Sequence, residues 1–298
     1  MPKITLVAGA SNQIGYFLLP RLLAAGQRVI ALSRHAMPSD PFPEAKKYSH
    51  WQWQVCDLAR DTPQLSEAFG LIFAAPLPLL VPLLQRLENK NIVRVIAFSS
   101  TSRFSKIDSP YFKEQQIAQQ LADAEMALTQ YTKQHHLPCT ILRPTLIYGC
   151  GRDKTVTVMA HFIRRFGFFP MVGSGEGLRQ PVHADDLAQA CVTIYAHTRT
   201  FGQSYNLSGG ETLTYRAMVE KIFFDLKRSP RIISISPHLF SLAIRIVRYW
   251  PKYAYLTPTM VQRMNHDLCF NHDVAHLDFG YQPRLFQSSD LGCFLTQE

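Results

Sequence analysis

The sequence predicts an α/β fold, a doubly wound parallel sheet with a smaller mixed C-terminal lobe. Three observations carry this. The chain opens on an almost continuous apolar run over 4–10, the mark of a strand covered on both faces, and a glycine turn and an amphipathic helix follow. Strand-like apolar runs then alternate with helical stretches as far as Pro144, the rhythm of repeated strand–helix–strand units. After Pro144 the texture changes, with glycines and aromatics clustered between Tyr148 and Gly177.

Taken in order, residues 4–10 are the first strand. Ile14, Leu18, Leu19, Leu22 and Leu23 then fall at helical spacing, and Gly26 ends that helix. The second strand is 28–33, and the Pro-, Ser- and charge-rich stretch 35–50 reads as a loop or a degenerate helix. Runs at 51–58, 70–76 and 93–100 give three more strands, with a helix at 78–88 between the last two. A long helix over 113–135 precedes a sixth strand at 139–144. A strand–helix pair returns at 181–197, a strand and turn at 205–210, and residues 211–298 read as helices with proline breaks. The expected division is therefore 1–149 plus a returning segment near 181–207, against a smaller lobe of 150–180 and 208–298.

The 298 residues, 47% of them hydrophobic, are ample for a full core. Lys and Arg exceed Asp and Glu by nine, but they are scattered, the densest groups being Arg164–Arg165 and Lys227–Arg228. A phosphate-bearing cofactor or an anionic small-molecule substrate explains that excess more simply than nucleic acid, and no nucleic-acid partner is expected. The six cysteines (56, 139, 150, 191, 269 and 293) show no CxxC and no metal spacing with histidine. No metal site is expected, and free thiols in a reducing cytoplasm are. The opening residues lead to no expectation of a secretion signal, and with no apolar run of membrane length no membrane span is expected. Over 238–250, Leu239, Leu242, Ile246 and Tyr249 make a helical stripe with Arg245 and Arg248 off it, a packed lobe helix or one lying on an anionic membrane.

The turn after the first strand is Gly9-Ala10-Ser11-Asn12-Gln13-Ile14-Gly15. The first glycine permits the tight turn and the last permits close helix–strand packing. Asn12 stands where the middle glycine would let the backbone approach a pyrophosphate, as the residue that best tolerates a left-handed backbone after glycine. Amides at a helix N-terminus favour anions, so Ser11, Gln13 and Ile14 join the candidate contacts of a Rossmann-type dinucleotide site. The second strand ends in Ser33-Arg34 rather than in the carboxylate that would grip a ribose diol. Arg34 can fork onto a 2′-phosphate with Ser33 donating beside it, which points to NADP, with NAD as the second choice. Asp57 is placed to accept from an adenine amine or to cap the next turn.

With these stand Asp57-Leu58 closing the third strand, Ala74-Ala75-Pro76 on the fourth, residues 98–102 (FSSTS) on the fifth, and 142–151, 173–190 and 205–210. On these residues the sequence resembles the NAD-dependent epimerase/dehydratase family of extended or atypical short-chain dehydrogenase/reductases. The resemblance implies that Leu58, Ala74, Ala75, Pro76, Ser99, Pro144 and Tyr148 line the cofactor and that Arg179 grips an anionic substrate. It places the catalytic Ser/Thr at Thr101, with Ser100 beside it. The family's Tyr-xxx-Lys pair is missing, because alignment on Glu125 puts Ile117 and Leu121 at those positions. Tyr111 is the nearest tyrosine and the remaining catalytic candidate, although Gln115 stands four residues on and Lys113 lies off its face. His183, ahead of Asp185 and Asp186, reads as a catalytic candidate or a helix cap. The implied function is that of an NAD(P)-binding oxidoreductase or epimerase/dehydratase-like protein acting on a polar, nucleotide-sugar-like substrate. A non-catalytic NADPH-binding regulator or assembly protein is the alternative, and a homodimer through the helices near 80–88 and 113–135 is implied by the resemblance alone.

Overall fold

The computed structural model describes residues 4–63, 65, 67–88, 91–236 and 264–288. It divides into two compact units. The first comprises residues 1–145, 182–208 and 270–283, and the second 146–181, 209–269 and 284–298. The strip 270–283, which the sequence reading placed in the smaller lobe, thus belongs with the large unit. The stripe at 238–250 lies outside the described residues.

The first unit is built on a seven-stranded parallel sheet. Its strands are β1 (Ile4–Ala8), β2 (Arg28–Ser33), β3 (Trp51–Val55), β4 (Phe69–Phe73), β5 (Ile92–Phe98), β6 (Cys139–Pro144) and β11 (Ser204–Leu207). They lie in the order β11-β6-β5-β4-β1-β2-β3. β1, β4 and nearly all of β5 are buried on both faces, as their unbroken apolar runs require, whereas edge strand β3 is only partly covered. β1 pairs with β2 on one side and with β4 on the other. The strand order reverses there, and in such sheets ligands bind outside the strands' carboxyl ends at that switch point.

Helices α1 (Gln13–Ala24), α2 (Leu80–Arg86), α3 (Ser102–Ser105), α4 (Phe112–Gln134), α6 (Ala184–Ile194) and α8 (Asp273–Phe279) belong to the same unit, as does the short strand β10 (Val182–His183). α1 buries Ile14, Leu18, Leu19, Leu22 and Leu23, the stripe read from the sequence. α6 is tied to α1 by Arg21, which pairs with Asp185 at 2.6 Å. His183 caps α6, its Nδ1 accepting from the Asp185 amide at 3.1 Å.

The second unit has its own core around Tyr148, Val156, Ile163, Phe169, Met218, Ile222 and Phe286. Its elements are β7 (Ile147–Tyr148), α5 (Val156–Phe166), β8 (Phe169–Val172), β9 (Leu178–Arg179), β12 (Leu213–Thr214), α7 (Tyr215–Asp225) and β13 (Ile232–Ile235). β8 pairs in parallel with β13, and β9 antiparallel with β12.

Candidate functional site

The loop between β1 and α1 is fixed by close backbone approaches that only glycine allows. A Cβ on Gly9 would lie 2.7 Å from the Ala74 carbonyl oxygen, and Gly9 also has φ +81°, a conformation that favours glycine. A Cβ on Gly15 would lie 2.2 Å from the Ala10 carbonyl oxygen. The Gly9 and Ala10 amides both donate to Leu32 O at the end of β2. Asn12 corrects the reading of its position. Its φ is −80° and ψ 176°, so it is an extended helix cap and not a left-handed stand-in for glycine. Its Oδ1 accepts from the Gly15 amide at 2.9 Å, and its Nδ2 donates to Ala74 O at 2.7 Å. One side chain therefore caps α1 and locks the loop onto the end of β4.

Around this loop the structure gathers other residues read from the sequence. Ser33 is buried, donates to the Ser11 hydroxyl at 3.1 Å and accepts from the His35 amide. Arg34 is exposed, with no ion pair or hydrogen bond among the described residues. The Asp57 carboxylate accepts from the Ala59 amide at 3.1 Å, so it closes the turn that follows β3. Leu58 is a core residue, and Ala74 is held to β1 through its amide, which donates to Ala8 O. Ala75 is half-buried and Pro76 exposed. The first amides of α1, including those of Gln13 and Ile14, emerge at the same corner because a helix start has no intrahelical acceptors for them.

The corner formed by the ends of β5 and β6 is built differently. Ser99 donates to Glu125, a residue of α4 only 2% exposed. Glu125 also pairs with Arg103 on α3 and, at 2.6 Å, with Arg143 on β6. One buried carboxylate thus holds two guanidinium groups and a serine hydroxyl. Both guanidinium groups lie over the Phe104 ring, at 4.9 Å for Arg103 and 5.5 Å for Arg143. The sequence reading used Glu125 only as an alignment marker. An acid on the buried face of α4, with Arg143 on an otherwise apolar strand, was the available signal for the cluster.

The hydroxyl candidates are used within the fold. Thr101 is buried, and its hydroxyl donates to Pro144 O at 3.1 Å, leaving lone pairs to accept but no proton to give while that bond stands. Ser100 accepts from the Ser102 amide at 3.1 Å. Tyr111 is the extended N-cap residue of α4, ahead of the helix rather than on the face that meets the sheet. Ile117 is 41% exposed and Leu121 half-buried, and the hydrocarbon side chain of neither can exchange a proton.

Tyr148 and Arg179 belong to the second unit. Tyr148 is 1% exposed, packs edge-on against Phe286 at 4.9 Å and accepts from the Gln287 amide at 3.3 Å. Arg179 is also buried, donating to Leu178 O at 2.7 Å and to His266 O at 2.6 Å beneath the Tyr215 ring. Among the described residues five cysteines are free, with burial raising Cys139 to about 12 and Cys150 to about 11, which suits packing rather than nucleophilic work. Among the described residues no group of three or more metal-type side chains converges, and no helix is long and apolar enough to cross a membrane.

Comparisons with known proteins add to this geometry. Residues 78–208 match the model of the NAD dependent epimerase/dehydratase family. Among curated proteins, the chain is 30% identical over 156 residues to the uncharacterized protein YbjS of Escherichia coli, covering 48% of this chain and 45% of that protein. It is 28% identical over 152 residues to the uncharacterized protein y4nG of Sinorhizobium fredii, covering 51% and 38%. The matches therefore span less than half the length of these relatives. Among solved structures, a UDP-glucuronic acid 4-epimerase of Bacillus cereus in complex with NAD superposes with a TM-score of 0.71, covering 97% of this chain and 94% of that one at 15% identity. At that identity the likeness establishes the fold, a Rossmann-type α/β sheet.

Proposed function

We propose that the first unit binds NADP(H), with NAD as a weaker ligand, and that the chain is an oxidoreductase or epimerase/dehydratase-like enzyme acting on a polar, anionic substrate of nucleotide-sugar type. The observation that carries this is the loop at the β1/β4 switch point, where Gly9 and Asn12 close on Ala74, and Gly15 on Ala10, at the start of α1. That corner fits a dinucleotide, because helix-end amides and the helix dipole favour a diphosphate there. Arg34, exposed and unpaired beside Ser33, supplies the cation for a 2′-phosphate. A bound nicotinamide would supply hydride exchange, chemistry that no side chain of this chain provides.

The chain's own residues bind and orient. Ser99 and Thr101 follow β5, with Ser99 held by Glu125 and Thr101 by Pro144 O, and Thr101 presents lone pairs to a substrate hydroxyl. Ile117 and Leu121 leave no tyrosine–lysine pair to move a proton, so in this reading the proton passes through water or the substrate. The net charge of +9 supports an anionic substrate, and the free cysteines suit a reducing, cytoplasmic setting. A homodimer through α2 and α4 is part of the proposal, supported by Met126 on α4, which is 66% exposed. Size-exclusion chromatography with light scattering should give twice the chain mass, and a monomer at all concentrations removes that part.

The test of the enzyme reading is incubation with NADPH and a panel of nucleotide sugars and small carbonyl compounds, following loss of reduced cofactor. Turnover on a panel member, abolished in Thr101→Val, is the expected result. Saturable cofactor binding with no turnover on any member would replace it with the non-catalytic reading.

A further inference from the structure

The second unit carries a surface that the cofactor site does not use. α5 ends in Arg164, Arg165 and Phe166, followed by Gly167 with φ +76° and then Phe168. α7 ends at Asp225 and is followed by Lys227, Arg228 and Arg231. Two bonds bring these ends together. The Arg228 guanidinium donates to Ile163 O at 3.0 Å, closing the C-terminus of α5, and the Phe169 amide donates to Arg231 O at 2.9 Å. Five cations, Arg164, Arg165, Lys227, Arg228 and Arg231, are exposed along this edge. The one acid in the same stretches, Asp225, is engaged by the Ser288 amide and hydroxyl at 2.6 Å.

Bases in a last helical turn often do no more than offset the helix dipole, and the magnitudes decide whether that suffices here. Arg164 has an interaction of its own, so the other four cations less one carboxylate leave three, and two helix C-termini remove about half a charge each, which leaves about two positive charges. Apolar surface lies within the same edge. Phe166 is 48% exposed, with the Arg165 guanidinium 5.5 Å from its centroid and Phe162 packed at 4.6 Å. Phe168 continues the cluster, 5.6 Å from Phe162.

We propose that this edge docks on an anionic phospholipid surface, the cations meeting headgroup phosphates and the exposed part of Phe166 entering the headgroup–acyl boundary. Charge complementarity selects an anionic occupant. The aromatic selects a bilayer over nucleic acid, because a ring already engaged by Phe162 and Arg165 is poorly placed to stack a base, whereas interfacial burial needs only its exposed part. The attachment is peripheral and salt-sensitive.

The experiment is co-sedimentation of the full chain with vesicles of equimolar phosphatidylcholine and phosphatidylglycerol, against vesicles of phosphatidylcholine alone. The chain should partition to the anionic vesicles and release as salt is raised. Each basic residue near such a surface contributes about fivefold, so Arg164→Gln with Arg165→Gln should weaken partitioning about 25-fold. Lys227→Gly, made where φ is already +55°, should weaken it about fivefold without straining the backbone, which keeps the test open if the double variant misfolds. Phe166→Ser should lower partitioning to anionic vesicles with the salt dependence unchanged. Equal partitioning to neutral and anionic vesicles overturns the proposal, as does binding indifferent to these substitutions. It is also overturned if an RNA oligonucleotide binds through the same arginines while the vesicles leave the chain in solution.

Discussion

Two corners of the same parallel sheet were solved in different ways. At the β1/β4 end, backbone geometry dominates. A Cβ on Gly9 or Gly15 would lie 2.7 or 2.2 Å from a carbonyl oxygen, and Asn12 bridges the loop to Ala74. At the β5/β6 end, charge dominates, with Glu125 buried between Arg103 and Arg143 and bonded by Ser99. The first corner keeps a helix start available for an anion. The second uses its ionisable groups on one another. The contrast teaches that one sheet can shape neighbouring strand ends by different physics, close backbone packing at one and buried charge pairing at the other.

The largest expected effect breaks the charged corner. Glu125→Ala leaves two guanidinium groups partly buried without their carboxylate, and urea unfolding should show a loss of about 3–5 kcal/mol. A loss below about 1 kcal/mol would mean that the cluster is a surface pair in effect. Gly15→Ala strikes the other corner. The added methyl meets the Ala10 carbonyl, so a stability loss of about 1–3 kcal/mol should accompany weaker dinucleotide binding.

Arg34→Ala should leave folding unchanged and lower affinity for NADP about tenfold, with NAD affinity unaffected, as one charged hydrogen-bonding contact is removed. Equal losses for both dinucleotides would place Arg34 elsewhere in the site. A smaller effect concerns the strip 270–283. His272, whose Nδ1 meets the Ser208 hydroxyl, has its pKa lowered from 6.5 chiefly by desolvation. The unfolded chain then binds more protons just below pH 6.5, so stability should fall slightly as pH drops through that window, and His272→Gln should flatten the dependence. Smallest of all, Tyr111→Phe should change turnover by less than about twofold, because the side chain precedes α4 instead of lying on its buried face.

The loop was legible in the sequence because glycine spacing, a buried strand and an amphipathic stripe report on the same few residues. Strands at 28–33 and 139–144 were read to the residue, since apolar runs mark fully covered strands well. The third run extended to Leu58 in the reading but stops at Val55, because Asp57 turns the chain by accepting from Ala59. Asn12 was misread because a residue name does not reveal its φ; a capping side chain and a left-handed one look alike in sequence. The Glu125 cluster was not assembled because its members lie on α3, α4 and β6 and on the end of β5, and only the tertiary fold brings them together. The same applies to the strip 270–283, whose helix lacks any long-range sequence cue that ties it to β11.

The most direct trial is calorimetric titration of NADP into the unaltered chain and into Gly15→Ala, with circular dichroism confirming that both are folded. The account predicts saturable binding at one site per chain, weakened at least about tenfold by the single added methyl. A folded chain that takes up neither NADP nor NAD, or a variant that binds as tightly as the parent, would contradict it.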